Sequence, residues 1–280
     1  MDVKVIRTVP EMQAWSAEQR DQARSIGCVP TMGYLHAGHM ALIKESVRRA
    51  DRTVMTLFVN PTQFAPHEDL ARYPRDFEGD CKKAGASGAV VVFAPGVEEM
   101  YPAGYQTYVT VDEASLGMEG AVRPIHFRGV ATVVLKLFNA VRPDVAVFGE
   151  KDYQQLAVIR RMTADLDLAI DIVGLPTVRE PDGLAMSSRN VYLKPDERAA
   201  ALSISRALFA AQKAVKAGAT DPKRIAGDAA AAIADAGLSV DYVEVRDPAT
   251  LAPLDAITGP ARILAAARIG AVRLIDNMAL

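Results

Sequence analysis

Neither sign of charge is in excess in this 280-residue chain: 32 Lys and Arg stand against 34 Asp and Glu, a formal net charge of −2. That balance leaves no electrostatic footprint for bulk nucleic acid or for a membrane surface. An anionic ligand must therefore be held by locally placed cations and backbone N–H groups. Cysteine is scarce as well. Cys28 and Cys81 are the only two and form no C-x-x-C pair, so reduced, packed thiols in the cytoplasm are expected rather than a disulfide framework. Long apolar runs are missing; stretches such as Gly88–Pro95 are too short to span a bilayer. Met1-Asp2-Val3-Lys4 has neither the basic nor the apolar region of a signal peptide. A soluble, cytoplasmic protein is the expectation.

Half the residues are hydrophobic, enough for a full core and against disorder. Short β-branched runs alternate with helical patterns through the first two-thirds. Strands are expected at Val3–Ile6, Ile26–Val29, Thr53–Val59, Ala89–Phe93, Val145–Phe148 and Ile170–Gly174. Helices fall between them: Pro10 to about Ala23, Gly38 to Ala50, Pro74–Ala84, Gly129–Asn139 and Tyr153–Ala164. The alternation predicts an α/β fold, a Rossmann-like doubly wound and mainly parallel sheet, with ligands beyond the carboxyl ends of its strands. The character changes near Pro176. Helices are expected at Pro195–Lys216 and Asp221–Ala236, then strand-like runs at Val240–Val245, Ala261–Ala267 and Ala271–Asp276. This predicts a domain over 1–175 and a smaller C-terminal α+β domain over 176–280, with helices and an antiparallel sheet.

Chemistry concentrates in a few segments. In Met32-Gly33-Tyr34-Leu35-His36-Ala37-Gly38-His39 a strand ends, a glycine permits a tight turn, and two histidines three apart frame a helix start. Backbone N–H groups there can receive phosphate oxygens, aided by the helix dipole, and both imidazoles can donate to the same phosphates. A zinc pair would need further ligands that the neighbourhood does not offer. Gly149-Glu150-Lys151-Asp152 follows a buried strand; Lys151 suits a phosphate and Asp152 a ribose hydroxyl. Met186-Ser187-Ser188-Arg189 supplies two hydroxyls and a guanidinium, donors suited to a pyrophosphate. Gln63 and Gln155 are neutral side chains able to meet both a carboxylate and hydroxyls. Two readings stay open for His126 and Arg128, facing the site or capping and solvating a helix. Asp80 reads as a solvated helix face or, alternatively, as an aid to metal binding.

His36-Ala37-Gly38-His39 resembles the H-x-G-H signature of the nucleotidylyl-transferase superfamily, and Pro30–His39 narrows the resemblance to the pantothenate synthetase family. In order come Phe58-Val59-Asn60-Pro61-Thr62-Gln63-Phe64, Tyr73-Pro74-Arg75, His126–Val130, Phe148–Gln155, Val178-Arg179-Glu180, Gly183–Asn190 and Arg273-Leu274-Ile275-Asp276. Ile125 departs from the family, where glycine commonly precedes His-Phe. The likeness spans nearly the whole chain, although residues 199–265 carry no readable motif.

The resemblance implies an ATP-dependent ligase joining pantoate to β-alanine through an acyl adenylate, with Mg²⁺ and as a homodimer. It implies ATP contacts from Met32 to His39, from Gly149 to Asp152, and from Val178 and Met186 to Arg189. The implied catalytic set is His36, His39, Lys151, Ser187, Ser188 and Arg189. Gln63 and Gln155 would bind pantoate, Gln63 also β-alanine, above an apolar lining of Pro30, Met32, Phe58, Val130, Val133, Val134 and Phe148. Plain core packing is the competing reading for those apolar residues. The alternative activity is nucleotidyl transfer by another member of the superfamily.

Overall fold

Strand and helix alternate from the start of the computed structural model, which describes residues 3–65 and 69–280. Met1 and Asp2, where the leader reading begins, lie outside them. The elements are β1 (Lys4–Ile6), α1 (Val9–Asp21), β2 (Ile26–Thr31), α2 (Ala37–Arg49), β3 (Arg52–Leu57), α3 (Phe77–Ala86) and β4 (Val91–Phe93). Two short helices follow, α4 (Val97–Met100) and α5 (Met118–Val122), then α6 (His126–Val141), β5 (Val145–Gly149), α7 (Tyr153–Asp165) and β6 (Asp171–Leu175). The strands form one sheet in the order β1-β4-β3-β2-β5-β6, with every pair parallel. Alternate strand residues feed two cores. Ile26, Cys28 and Phe148 join Met12 and Trp15 of α1 and the apolar faces of α6 and α7. Val29, Met55 and Val147 join Leu42 and Ile43 of α2 on the other face. Burying one such large side chain contributes about 1.5–3 kcal/mol. The expected doubly wound sheet is what the chain forms.

Chain direction across the sheet reverses between β2 and β5, the switch point at which this kind of sheet binds ligands. Here the two strands part early. They pair only at Gly27↔Val145 and Cys28↔Ala146, while β2 stays paired with β3 as far as Thr31↔Leu57. Proline is the cause. Ile26 O accepts from Asp144 N on the β5 side, whereas Thr31 O accepts from Phe58 N on the β3 side. Strand alternation therefore turns the nitrogen of Pro30 toward β5, where it has no N–H to extend the ladder. A crevice opens beyond Cys28.

Local chemistry sets several boundaries. α3 starts at Phe77 rather than at Pro74, because the Asp76 side chain caps it by accepting from Gly79 N. α6 begins at His126, a turn earlier than its apolar period announces. After β6 come α8 (Pro195–Lys216), α9 (Pro222–Asp235) and three antiparallel strands, β7 (Ser239–Arg246), β8 (Arg262–Ile269) and β9 (Val272–Ala279), in that order. Ile204, Leu208, Ile233 and Ile263 centre the core between these helices and strands. Among the described residues no helix is long and apolar enough to cross a membrane.

Candidate active site

The turn after β2 is shaped by a buried carboxylate. Gly33 and Tyr34 both adopt positive φ, +85° and +54°, conformations that cost a side-chain-bearing residue about 1–2 kcal/mol. Asp80 of α3, 1% exposed, holds them there. Its Oδ2 accepts from Tyr34 N and its Oδ1 from Leu35 N, both at 2.7 Å. A Cβ on residue 33 would stand 2.9 Å from that carboxylate, so the close approach requires glycine. Asp80 is thus neither a solvated helix residue nor part of a cluster of three or more potential metal ligands among the described residues. Asp80→Ala strands the buried Leu35 N–H and the partly buried Tyr34 N–H, at an expected cost of about 1–3 kcal/mol for the buried one and less for the other. Urea unfolding checks this; a total loss below about 1 kcal/mol would show that another acceptor replaces the carboxylate.

The two histidines use the start of α2 differently from the expectation. His36 is the N-cap, and its Nδ1 accepts from Gly38 N at 3.2 Å. His39 Nδ1 accepts in turn from His36 N at 3.3 Å. Both amides are therefore taken by the rings rather than left for phosphate. Accepting at Nδ1 places each proton on Nε2, the donor that remains for a ligand. The rings lie 4.0 Å apart.

Burial, with the Lys151 charge next, lowers the His36 pKa to about 4. Burial, then His36, lowers that of His39 to about 3. Both rings are neutral donors at pH 7. The unfolded chain, with imidazoles near 6.5, binds more protons below that pH. The stability gained from these neutral rings is complete above about pH 6.5 and is lost as pH falls toward 4 and 3. Two-dimensional ¹⁵N spectra should show His36 and His39 as unprotonated Nε2–H tautomers from pH 7.5 down to 5.5. A ring protonating near pH 6.5 would contradict the burial argument.

Lys151 stands across the crevice on a short turn after β5, its ammonium 3.6 Å from the Asp152 carboxylate. That turn is gripped from the C-terminal sheet. Asn277 of β9 donates from Nδ2 to the carbonyls of Glu150 and Lys151, both at 2.8 Å. Arg262 of β8 donates to Glu150 Oε2 at 3.1 Å and lies 3.7 Å over the Tyr153 ring. Residues 187–189 enter from the same side. Ser187 Oγ accepts from Arg189 N, and Asn190 ties the segment to Glu180 and to the Ala185 carbonyl. Arg179, which donates twice to Asp276 of β9 at 2.6 and 3.0 Å, fixes the base of this hairpin.

One cavity of about 1140 Å³ joins these parts. Met32, His36, Gly38, His39, Gly149, Lys151, Asp152, Val178, Met186, Ser187, Ser188 and Arg189 line it, as do Gln63 and Gln155. Gly33, Tyr34, Leu35, Ala37 and Glu150 do not. Leu35 is packed in the core below α2, and the Glu150 carboxylate pairs with Arg262. All seven expected apolar residues, from Pro30 and Met32 to Phe148, face the cavity, and of these Phe58, Val130, Val133, Val134 and Phe148 also belong to the core. Lining and packing are one role here. Gln63 Nε2 lies 3.1 Å from Met32 Sδ, and its Oε1 accepts from Asn60 Nδ2. His126 and Arg128 part company: His126 is buried and donates from Nδ1 to Gln63 O, whereas Arg128 is exposed and lies over Tyr108. Cys28 is fully buried in β2, and burial pushes its thiol pKa up, which removes it as a nucleophile.

Several positions have a part in this geometry that their residue type alone did not announce. Asn60 accepts from Thr62 and Tyr101 and donates to the Gly129 carbonyl, holding the Gln63 turn against α6. Gln154, which lines the cavity beside Gln155, uses its amide to hold the 114–119 segment. Glu119 receives Arg273 at 2.7 Å, joining the C-terminal sheet to α5. Asn60, Gln154 and Arg273 lie inside strings that resemble the family, which mark the residue but not its partner.

Fold and site together define a Rossmann-like α/β nucleotide-binding protein, with a cluster of cations and neutral donors at its switch point and an apolar floor alongside. The chain belongs to the pantoate–β-alanine ligase family, whose model matches residues 4–279. The pantothenate synthetase of Myxococcus xanthus is 55% identical over 279 residues, covering 99% of this chain and 96% of that protein. That of Heliobacterium modesticaldum is 52% identical over 277 residues, covering 99% of both. The crystal structure of pantothenate synthetase from Thermus thermophilus superposes with a TM-score of 0.92 at 45% identity, covering 99% of each chain. A pantoate–β-alanine ligase from Francisella tularensis, complexed with β-γ ATP and β-alanine, gives 0.81 at 31% identity, covering 99% of this chain and 97% of that one.

Proposed function

We propose that this chain condenses pantoate with β-alanine, using ATP, to give pantothenate, AMP and diphosphate through a pantoyl adenylate. The observation that carries the reading is one continuous cavity in which neutral imidazoles and Lys151 stand beside two glutamines over an apolar floor. A carboxylate is a poor acyl donor at neutral pH, so activation comes first. The pantoate carboxylate, held by Gln63 and Gln155 with its methyls against Val130, Val134 and Phe148, attacks the α-phosphorus in line. Diphosphate leaves. His36 and His39 donate from Nε2, Lys151 contributes a fixed charge, and Ser187, Ser188 and Arg189 close over the departing oxygens. The step needs placement and charge stabilisation, and no covalent protein intermediate. The β-alanine amine, at Gln63, then attacks the pantoyl carbonyl and expels AMP. Walls contributed by the C-terminal strands keep water from the mixed anhydride.

Mg²⁺ enters this reading with the nucleotide, because it binds preferentially through substrate phosphates with few protein ligands. Asp152, which lines the cavity beside Lys151, offers one carboxylate for that mode. We further read residues 1–175 and 176–280 as two domains, the chain as a homodimer and its place as the cytoplasm; sedimentation at twice the chain mass tests the dimer. The reaction is tested by following diphosphate with ATP and pantoate, with and without β-alanine. Pantoate alone should give no more than one diphosphate per site. Adding β-alanine should start turnover, with AMP and pantothenate formed in equal amounts. Diphosphate release independent of pantoate, or AMP retained in the product as in a nucleotidylyltransferase, would overturn the reading.

A further inference from the structure

The turn that presents Lys151 is short, half-exposed and made of three polar residues, and nothing in its own sequence dictates where the ammonium points. Its backbone is held from another sheet. Both hydrogens of the Asn277 amide are used, one on the Glu150 carbonyl and one on the Lys151 carbonyl. The amide oxygen accepts from Arg262 Nη1, and that same guanidinium donates to Glu150 Oε2 and covers the Tyr153 ring. Asn277 is 3% exposed, so every polar atom of its side chain is buried and satisfied. Such an arrangement tolerates no inversion. A carboxylate in its place would set an acceptor against two carbonyl acceptors.

We propose that Asn277 is a positioning residue for the adenylation step, acting through Lys151: it couples strand β9 to the place of the Lys151 charge. The inference rests on the role given above to Lys151. Asn277 touches no reacting atom. Its effect on the reaction exists only while residue 151 carries the cation, and this separates positioning from a general contribution to stability.

The experiment is a double-mutant cycle in the full chain, read as single-turnover diphosphate release with ATP and pantoate. Asn277→Asp, close in size, is the principal variant and Asn277→Ala the second; near-UV circular dichroism checks the fold of both. In the parent, either substitution should slow release by up to about 10²-fold, the scale of a misplacement of roughly 1 Å. In a Lys151→Ala background the same substitution should slow it by less than about threefold, because contacting sites that act as a unit are not additive. Equal losses in both backgrounds would overturn the proposal, and so would loss of the fold in both variants, which would assign Asn277 to stability. A parent without pantoate-dependent release would overturn the proposed function instead. The coupling is then read from ATP affinity in the same four proteins by calorimetry, where additivity would overturn it equally.

Discussion

Replacing Lys151 with alanine is expected to slow pantoate-dependent diphosphate release by about 10²–10³-fold, the loss seen when one preorganised donor is removed from a site of developing charge. Two interactions of Lys151 have to be weighed. Its pair with Asp152, at 3.6 Å and with the carboxylate half-exposed, is worth about 0–1 kcal/mol and does not explain the residue's placement. In the proposed reaction a fixed ammonium facing phosphate oxygens contributes about 2.7–4 kcal/mol, because no reorganisation is needed as charge moves to the leaving group. The second effect wins. His39→Ala should fall in the same range, since its Nε2–H is directed by a hydrogen bond at Nδ1. Removing both should cost less than the product of the two losses, as groups acting on one charge behave as a unit. Near-parental release from either variant, measured under single-turnover conditions, would remove that residue from the chemistry.

Gly129→Ala is expected to be the most damaging change to the proposed pantoate pocket although residue 129 does not line the cavity. An added Cβ would stand 2.5 Å from the Thr62 carbonyl oxygen and 2.7 Å from Gln63 N. These are backbone atoms that cannot swing aside. The Gln63 turn is pinned there by Asn60, which donates to the Gly129 carbonyl, and by His126 and Arg123, which donate to the Gln63 carbonyl. Helix and turn must separate, at a cost of about 1–3 kcal/mol for overpacking. Gln63 shifts with them. Pantoate KM should therefore rise at least about tenfold, by misplacement of a binding group. Thermal unfolding and steady-state kinetics check both effects together. An unchanged melting temperature with unchanged KM would mean that α6 yields without moving Gln63.

What was legible beforehand divides along separation in the chain. The two histidines and their helix start lie within four residues, so the string alone announced the helix start, but not that the two rings take its amides themselves. α8 runs from Pro195 to Lys216 as expected, because proline and two acids mark its beginning. The sequence pattern ends β2 at Val29, because proline interrupts it. The structure carries it to Thr31, since only one neighbour needed the missing N–H. Asp80 departs from its expected solvated face for a different reason. Its partners lie 45 and 46 positions away, and an acid in the first turn of a helix looks the same whether it meets water or a distant loop. Asn277 reaches across 127 positions to Glu150. No periodicity encodes such a contact. Family resemblance marked segments that reach the cavity but not which of their residues touch it: Gly33, Tyr34 and Leu35 shape the turn from behind.

Strand β9 brings three of these long-range contacts within five residues. Arg273 and Asn277 point toward the first sheet, one to Glu119 and the other to the Lys151 turn, while Asp276 points the other way, to Arg179. Because successive strand residues face opposite sides, a shift of one position would exchange these assignments wholesale. Insertions and deletions should accordingly be purged from residues 272–279 but accepted in the connection between β7 and β8, which bears none of the three. Length variation within the family would then be confined by a two-residue rhythm, not by the chemistry of any single side chain.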